Sequence, residues 1–265
     1  MSRSAFYSVL SYLSYRFTSK SKYGIHSPFV YDLITNVLQK KQPVPAFNEI
    51  RKIYQEQARN SRVVETTDFG AYAKNRSYVT RFMKVKQIAR GSSVDRRTGE
   101  LLYRLVKHYN PGNILEMGTA LGISTLYLAK AAPEAHIVTM EGCAAKVDLA
   151  RSAFKRLEVS NVEVSTGRFD TQLSLVLEKM PRIDFAFIDG HHLERPTLEY
   201  FRQIMKNIHE DSVVVLDDIH WSAEMEQAWK KICQIPGVVV TVDLYRLGLI
   251  FFKKGLSKQH FVIRY

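Results

Sequence analysis

The sequence predicts an α/β fold in which a mostly parallel, seven-stranded sheet ends in an antiparallel hairpin. From residue 113 onward, short runs rich in β-branched residues alternate five times with helical patterns, which is typical of parallel strands joined by helical crossovers. Two further strand-like runs, at 238–242 and 247–252, lie too close together for a helical crossover. We therefore expect these two runs to form an antiparallel hairpin at the edge of the sheet.

Charged and aromatic residues divide the chain into two regions. Residues 1–90 carry 16 Lys and Arg against 5 Asp and Glu, so this third of the chain holds 11 of the net charge of +12. It also holds 14 of the 28 Phe and Tyr residues, whereas residues 91–265 are almost neutral. We expect a basic helical extension at 1–90, serving as a lid, a docking surface or a homodimer surface, and an α/β domain at 91–265.

Apolar residues three or four positions apart indicate the helices of the extension. We expect helices at 5–17, 28–38, 48–59 and 78–88, and a loop at 67–73. Ser27 and Pro28 mark the clearest helix start, because serine is a preferred N-cap and proline fits the first helical turn. In the second region we expect parallel strands at 113–117, 136–140, 162–165, 184–188 and 212–216. The helices between and after them are expected at 124–131, 144–157, 171–178, 197–208 and 223–232.

The sequence gives no sign of a membrane-spanning or secreted protein. No stretch approaches 18 consecutive apolar residues, the length that a spanning helix needs. The first residues lack the apolar core and cleavage site of a secretory signal. Cys143 and Cys233 have neither metal-site spacing nor the density of a disulfide scaffold. We therefore expect reduced thiols in a cytoplasmic protein.

The first parallel strand leads into a glycine-containing turn and then directly into a helix. Gly118 and Gly122 in this turn would let a ligand approach the backbone at the carboxyl edge of the sheet. The segment does not match the G-x-G-x-x-G pattern of pyrophosphate binders, because Ala120 stands at the middle glycine and Glu116 precedes the first. An acid at this point suits a cationic ligand. An ordinary tight turn is the alternative.

Two further strand ends carry residues that suit a nucleoside. Glu141 closes the second strand, where a carboxylate can accept hydrogen bonds from both hydroxyls of a ribose. The loop after the third strand contains Gly167, Phe169 and Asp170. It would bracket an adenine, with Phe169 as a flanking ring and Asp170 near the amino group. Simple turn and helix-cap chemistry is the alternative for this loop.

Three acids follow the fourth and fifth strands. Asp189 ends the fourth strand, and Asp217 and Asp218 end the fifth. Neighbouring strands place their ends about 5 Å apart, so these carboxylates repel one another unless a cation or another compensating charge lies among them. Oxygen ligands suit a hard cation such as Mg²⁺. His191 and His192 supply candidate bases beside it.

Together, the pattern Glu116-x-Gly118-x-Ala120-x-Gly122, Glu141, Asp189 and Asp217-Asp218 resembles the class I S-adenosylmethionine-dependent methyltransferases. The branch it is most similar to is the catechol-type, metal-assisted small-molecule O-methyltransferases, and the resemblance covers roughly residues 85–254. It implies a Rossmann-like sheet with S-adenosylmethionine as cofactor, and Mg²⁺ held by Asp189, Asp217 and Asp218. It implies cofactor contacts from Glu116, Gly118, Thr119, Ala120, Gly122, Ser124, Glu141, Gly167, Phe169 and Asp189.

The implied chemistry makes His192, or alternatively His191, the acceptor of the substrate proton beside Asp189. Trp221 would either form a wall of the acceptor pocket or pack in the core or against a helix. That branch typically has lysine where this chain has His192, and Asp189-Gly190-His191-His192 is instead similar to a sibling group of sugar- and metabolite-modifying methyltransferases. Residues 1–90 match no pattern of the family, so the acceptor stays open.

The expected function is O-methylation of a small-molecule hydroxyl assisted by a divalent cation. One alternative is methylation of RNA, such as tRNA, with the basic extension as docking surface. A second is a non-catalytic cofactor-fold scaffold at a membrane or partner surface, with the first helix in peripheral membrane contact.

Overall fold

The computed structural model describes residues 3–40, 42–70 and 78–265. The first part of the chain forms α1 (Arg3–Thr18), α2 (Pro28–Leu33), α3 (Pro45–Gln57), β1 (Val63–Asp68), β2 (Val79–Lys84) and α4 (Val85–Ser92). A short 3-10 turn follows α1, and α2 continues into one π-helical turn at Ile34–Leu38. The predicted start of α2 is confirmed, because the Ser27 hydroxyl accepts a hydrogen bond from the Val30 N–H at 3.5 Å.

The extension is not wholly helical, which corrects the expectation of a helix at 78–88. Residues 79–84 form a strand that pairs antiparallel with β1, and the helix begins only at Val85. Val79, Thr80 and Phe82 are strand-favouring residue types, and pairing with β1 outweighs the helical spacing. Thr67 and Asp68, expected in a loop, belong to β1, while 71–73 of that loop and the side chain of Phe6 in the first helix lie outside the described residues.

The second part of the chain alternates strands and helices as predicted. Its helices are α5 (Arg96–Tyr109), α6 (Ile123–Ala131), α7 (Ala144–Arg156), α8 (Phe169–Lys179), α9 (Glu194–Ile204) and α10 (Ala223–Gln234). Its strands are β3 (Asn113–Met117), β4 (His136–Glu141), β5 (Val162–Thr166), β6 (Ile183–Ile188), β7 (Ile208–Leu216), β8 (Val240–Asp243), β9 (Gly248–Phe251) and β10 (Gln259–Val262).

These strands form one sheet in the order β10-β8-β9-β7-β6-β3-β4-β5. Strands β3 to β7 are parallel, and β9 runs antiparallel to both β7 and β8. The predicted fold class is confirmed. An additional strand, β10, pairs parallel with β8 and takes the edge position that we expected for the hairpin.

Apolar layers cover both faces of the sheet. Alternate strand residues such as Ile114 and Leu115 belong to opposite layers. Helices α5, α6 and α7 cover one face, and α8, α9 and α10 cover the other. The N-terminal helices belong to the first layer, since Ile34 and Ile50 lie in the same buried cluster as Leu105.

The helical segments that contain Ile34 and Ile50 therefore pack into the core of the sheet. Helix α1 docks at the far edge, where the Tyr15 hydroxyl donates a hydrogen bond to the Ile263 carbonyl at 2.6 Å. Helix α4 runs across the expected boundary at residue 91, so the division at that residue stays a prediction. No helix among the described residues combines the length and apolarity needed to cross a membrane. Cys143 and Cys233 are free thiols.

Candidate active site

A cavity opens at the carboxyl ends of β3, β4, β6 and β7. Strand register brings the predicted residues to this rim, because Met117 pairs with Ile188 and Ile188 pairs with Leu216. Of the predicted residues, those lining the cavity are Gly118, Ala120, Glu141, Phe169, Asp189, His191, His192, Asp218 and Trp221. The predicted residues that are described but lie outside this lining are Glu116, Thr119, Gly122, Ser124, Gly167, Asp170 and Asp217.

The turn after β3 is shaped by its tight contact with the end of β6. Gly118 has a φ of +108°, and an added Cβ would overlap the carbonyl oxygen of Asp189. Only glycine fits this position. Ala120 also has a positive φ, of 46°, and its N–H donates a hydrogen bond to Glu141 Oε2 at 3.0 Å. The turn therefore lies against two strand ends at once.

Gly122 and its neighbours serve packing in this structure. Gly122 has a φ of +83°, and a Cβ there would lie 2.6 Å from the Phe154 ring of α7. The Thr119 hydroxyl is buried and forms a 2.6 Å hydrogen bond with the Thr139 hydroxyl. Ser124 is buried in the first turn of α6. The expectation that these three residues contact the cofactor stays a prediction.

Glu116 lies beneath the rim. Its Oε2 accepts hydrogen bonds from the hydroxyls of Thr125 at 2.5 Å and Thr139 at 2.6 Å. Burial raises the pKa of the Glu116 carboxyl, and the neighbouring hydroxyls oppose that rise. Its second oxygen, Oε1, is buried without a hydrogen-bond partner among the described residues. That carboxyl oxygen is a candidate acceptor for a group entering from above.

Glu141 lies at the rim itself, as expected of a ribose acceptor. Its Oε1 accepts a hydrogen bond from the Cys143 N–H at 2.9 Å, and its Oε2 accepts the bond from Ala120. The Lys146 ammonium lies 4.0 Å from Oε1. These contacts hold the Glu141 side chain in place beside the turn after β3.

Phe169 and Asp170, predicted to flank an adenine, differ in their placement. The Phe169 ring lines the cavity and lies so close to Gly190 that a Cβ there would be 2.5 Å from the ring. Asp170 instead pairs with Arg168 at 2.6 Å, and this bond lowers the pKa of the Asp170 carboxyl despite partial burial. Asp170 is thus held by its own loop and lies outside the cavity lining.

Phe69 is a cavity residue that the sequence did not reveal. It follows β1, and its ring fills the space above Gly142, where a Cβ would lie 2.6 Å from the ring. The Arg168 guanidinium carbon lies 5.5 Å from the centre of the Phe69 ring, a cation–π arrangement. An aromatic residue directly after a strand was the available signal, but the chain segment was expected to be a loop of the extension.

The three acids of β6 and β7 come together around an arginine. Arg246, in the turn between β8 and β9, binds both oxygens of Asp217, with Nε 3.1 Å from Oδ1 and Nη2 3.2 Å from Oδ2. Its Nε also lies 3.5 Å from Asp218 Oδ1. The compensating charge that the acids require is therefore supplied by the chain.

The acids still perturb one another. Burial, together with the charges of Asp217 and Asp218, raises the pKa of the Asp189 carboxyl. Burial and the charge of Asp217 raise the pKa of Asp218 to about 7, against the lowering effect of Arg246.

The donor set at this rim does not fit the Mg²⁺ site that the family resemblance implies. Both oxygens of Asp217 are bonded to a guanidinium. Within the described residues, no group of three or more His, Cys, Asp or Glu is arranged to hold a metal ion. No step of the chemistry is therefore assigned to a metal.

The two histidines face different neighbours. His192 lines the cavity, with Nε2 3.5 Å from Asp189 Oδ1 and its ring 5.6 Å from the Trp221 ring. Its Nδ1 is buried without a hydrogen-bond partner among the described residues, and burial lowers the pKa of the imidazole. His191 Nδ1 lies 3.2 Å from the Tyr200 hydroxyl instead. His192 is thus the better placed of the two to act as a base.

Several known methyltransferases are similar to this chain. A family model described as a methyltransferase domain matches residues 115–219. A catechol O-methyltransferase of Niastella koreensis is 30% identical over 130 residues, which cover 48% of this chain and 58% of that protein. A probable O-methyltransferase of Mycobacterium tuberculosis is 30% identical over 130 residues, covering 46% and 55%. The matched segment thus spans little more than half the length of these curated relatives.

Solved structures with the same fold are also methyltransferases. The Bacillus cereus O-methyltransferase in complex with S-adenosylhomocysteine has a TM-score of 0.56 at 20% identity, covering 89% of this chain and 99% of that one. The Podospora anserina methyltransferase PaMTH1, also bound to S-adenosylhomocysteine, has a TM-score of 0.61 at 14% identity, covering 87% and 97%. At 14% and 20% sequence identity, these similarities are evidence for a shared fold alone. Residues 115–219 thus match a methyltransferase domain, and the chain has the fold of S-adenosylhomocysteine-bound methyltransferases.

Proposed function

We propose that the protein transfers the methyl group of S-adenosylmethionine to a hydroxyl of a small molecule. One observation carries the proposal: a single cavity is lined by Ala120 and Glu141 on one side and by Asp189 and His192 on the other. The first pair suits a nucleoside, and the second suits a hydroxyl that must lose its proton. The names of the curated relatives support oxygen as the methyl acceptor.

In this proposal the cofactor lies along the rim from β4 to β6. Glu141, held by two backbone N–H groups, accepts the ribose hydroxyls. The adenine lies between the rings of Phe69 and Phe169, which both line the cavity. The sulfonium lies near Gly118 and Asp189, where carboxylates suit its positive charge. The S-adenosylhomocysteine in the Bacillus cereus structure supports this choice of cofactor.

The reaction is an in-line displacement at the methyl carbon. The acceptor oxygen forms a bond to that carbon, the carbon–sulfur bond breaks, and its electron pair stays on sulfur, which gives S-adenosylhomocysteine. The cofactor supplies the activated methyl group, so the protein must align the acceptor and remove its proton.

His192 accepts the proton of the acceptor hydroxyl. Its lowered pKa keeps the imidazole neutral near pH 7, the form that can accept a proton. A divalent cation has no part in this proposal, because Arg246 occupies Asp217.

Substituting His192 tests the proposal. We expect His192→Asn to slow methyl transfer by about 10²- to 10⁴-fold, the usual contribution of a general base, while leaving the affinity for S-adenosylhomocysteine unchanged. Transfer of radiolabelled methyl groups to a panel of catechols and other small hydroxyl compounds measures the rate. His136→Asn, at a half-exposed position at the opposite end of β4, is the matched control. An unchanged rate in His192→Asn would remove the base from the proposal.

The alternatives of RNA methylation and a non-catalytic scaffold gain no specific support from the described residues. RNA stacking needs exposed rings, and the aromatic residues of the extension are divided: Phe17, Tyr23 and Phe82 are exposed, whereas others pack inward. Tyr15 is buried, and the Phe29 ring lies 5.0 Å from the Phe251 ring. A cytoplasmic location, a homodimer and peripheral membrane contact stay predictions.

A further inference from the structure

In the proposed function Arg246 only pairs with Asp217, although it also lines the cavity beside the base. We propose that Arg246 is the resident cation of the acceptor site, where it takes the place of a divalent metal ion, so that methyl transfer by this chain is metal-independent. This inference rests on the proposed methyltransferase function.

The first support is the way in which Arg246 binds Asp217. The Asp217 carboxylate is 1% exposed, and a buried carboxylate needs a bonded partner of opposite charge. The planar guanidinium supplies two parallel N–H donors, at 3.1 and 3.2 Å, a geometry that lysine cannot reproduce. A metal ion at Asp217 would have to displace both bonds.

The second support is that Arg246 is fixed from two further sides. Its Nη1 donates to Asp95 Oδ2 at 2.9 Å, and Asp95 itself caps α5 by accepting from the Thr98 N–H. Its backbone carbonyl accepts a hydrogen bond from the Ile219 N–H at 3.1 Å. The positive charge is therefore held in place before any ligand arrives. A divalent cation among the same acids would face repulsion from this fixed charge.

The third support is what the guanidinium still offers to a ligand. A guanidinium carries five N–H groups, and the bonds to Asp217 and Asp95 use three of them. Among the described residues this leaves donors for an acceptor oxygen in the cavity. As His192 takes the hydroxyl proton, negative charge develops on that oxygen, and N–H donors fixed beforehand stabilise it. The bond changes are those of the displacement already given.

Manganese binding tests the inference on the wild-type protein. Mn²⁺ occupies the same kind of oxygen site as Mg²⁺ and loses its sharp paramagnetic resonance signal when bound. In the presence of S-adenosylhomocysteine, we expect the signal of free Mn²⁺ to be undiminished by the EDTA-treated protein, and the methyl-transfer rate to be the same with EDTA or Mg²⁺. Mn²⁺ binding that Asp217→Asn abolishes would overturn the inference.

Substitution of Arg246 separates a cationic role from a merely structural one. We expect Arg246→Ala to bind Mn²⁺ at least about tenfold more tightly than wild type, because the acids lose their internal partner, and to lose about 10²- to 10³-fold in rate. Arg246→Lys keeps the charge and should gain no Mn²⁺ affinity. Arg195→Ala, which removes an exposed arginine paired with Glu199 on α9, is the control. Wild-type turnover by Arg246→Ala would contradict the inference.

Calorimetry with S-adenosylhomocysteine distinguishes a failure of the proposed methyltransferase function from a failure of the proposed role of Arg246 alone. Wild-type protein that binds neither this product nor Mn²⁺ would refute the proposed methyltransferase function. Wild-type protein that binds both, with turnover dependent on the metal, would leave the methyltransferase in place and overturn only the role of Arg246. If Arg246→Ala does not fold, the wild-type measurements alone still decide.

Discussion

At the scale of single residues, the backbone conformation of the turn after β3 shapes one side of the site. The turn after β3 holds three residues with positive φ, Gly118 at 108°, Ala120 at 46° and Gly122 at 83°. A left-handed conformation costs about 1–2 kcal/mol for a residue other than glycine. The hydrogen bond from Ala120 to Glu141 offsets part of this cost. The same bond aligns the turn with the end of β4.

Gly118→Ala tests how closely the turn and β6 must approach. The added Cβ overlaps the Asp189 carbonyl oxygen, so the turn must move away from the rim. We expect a lower Tm and at least about a tenfold loss of affinity for S-adenosylhomocysteine. Differential scanning calorimetry and isothermal titration measure the two effects.

Gly255→Ala is the matched control for that substitution. Gly255 also has a positive φ, of 82°, but no atom lies within 4 Å of an added Cβ. Gly255→Ala therefore has the energetic cost of a positive φ, but its added Cβ overlaps no other atom. Equal losses of Tm in the two variants would show that the contact with Asp189 has no importance.

Some site residues can be predicted from the sequence because they lie at strand ends, whereas others cannot because tertiary packing places them. Gly118 and Asp189 directly follow strands and Glu141 ends one, and the carboxyl ends of parallel strands lie at one edge of the sheet. Phe69 and Arg246 reach the same cavity from a hairpin and from the β8–β9 turn, whose positions depend on tertiary packing. The repulsion among the acids indicated that a compensating charge must exist, but not which residue supplies it.

At the scale of secondary-structure elements, strands that are buried on both faces were easier to predict from the sequence than exposed or short strands. Strands such as Asn113–Met117 and Ile183–Ile188 are buried on both faces, so their apolar runs are unambiguous. Strand β2 (Val79–Lys84) is largely exposed and basic, and its residues fit a helical spacing equally well. Strand β10 (Gln259–Val262) has only four residues and lies at the sheet edge, so its pattern is too short to recognise.

Asp184, near the start of β6, joins three strands at the edge opposite the site. Its carboxylate accepts hydrogen bonds from the backbone N–H groups of Gly112 and Asn113 and lies 2.8 Å from His209 Nε2. Burial alone would raise the pKa of Asp184, but these partners and Arg182 outweigh burial and lower it. The ionised form therefore stabilises the folded state.

Asp184→Asn should accordingly lower the free energy of unfolding in a pH-dependent way. Because the folded pKa lies below the unfolded value, the stabilisation is present above about pH 4 and is lost as the pH falls through the folded pKa. We expect a loss of about 1–3 kcal/mol at neutral pH that shrinks toward about pH 3, measured by urea denaturation across this range. Asp211→Asn, whose side chain is 65% exposed, should show no comparable loss. A pH-independent loss in Asp184→Asn would contradict the account.

At the scale of the whole molecule, the N-terminal helices are part of the core that supports the site. Ile34 and Ile50 are buried in the same cluster as Leu105 and the sheet residue Ile114. Composition alone predicted that the first 90 residues form a separate unit. Charged residues describe the exposed surface of these helices and give no information about their buried faces. A detached lid would leave that cluster incomplete.

Ile50→Ala tests whether the extension and the sheet melt together. Removing a fully buried isoleucine costs about 2–5 kcal/mol, and we expect one cooperative transition with a lowered Tm in circular dichroism. Leu175→Ala, at a position that is 50% exposed on α8, should change the free energy of unfolding by less than about 0.5 kcal/mol. A separate early transition, with the sheet unchanged, would indicate two independent units.

The most direct test of the whole account is calorimetric titration of S-adenosylhomocysteine into the wild-type protein, Glu141→Gln and Glu163→Gln. Glu163, on the neighbouring strand β5, is 57% exposed and pairs only loosely with His136, at 3.6 Å. We expect the wild type and Glu163→Gln to bind the product alike, and Glu141→Gln to bind it at least about tenfold more weakly, because the amide replaces a charged acceptor of the ribose hydroxyls. Equal binding by all three proteins, or none by the wild type, would contradict a nucleoside site at this rim.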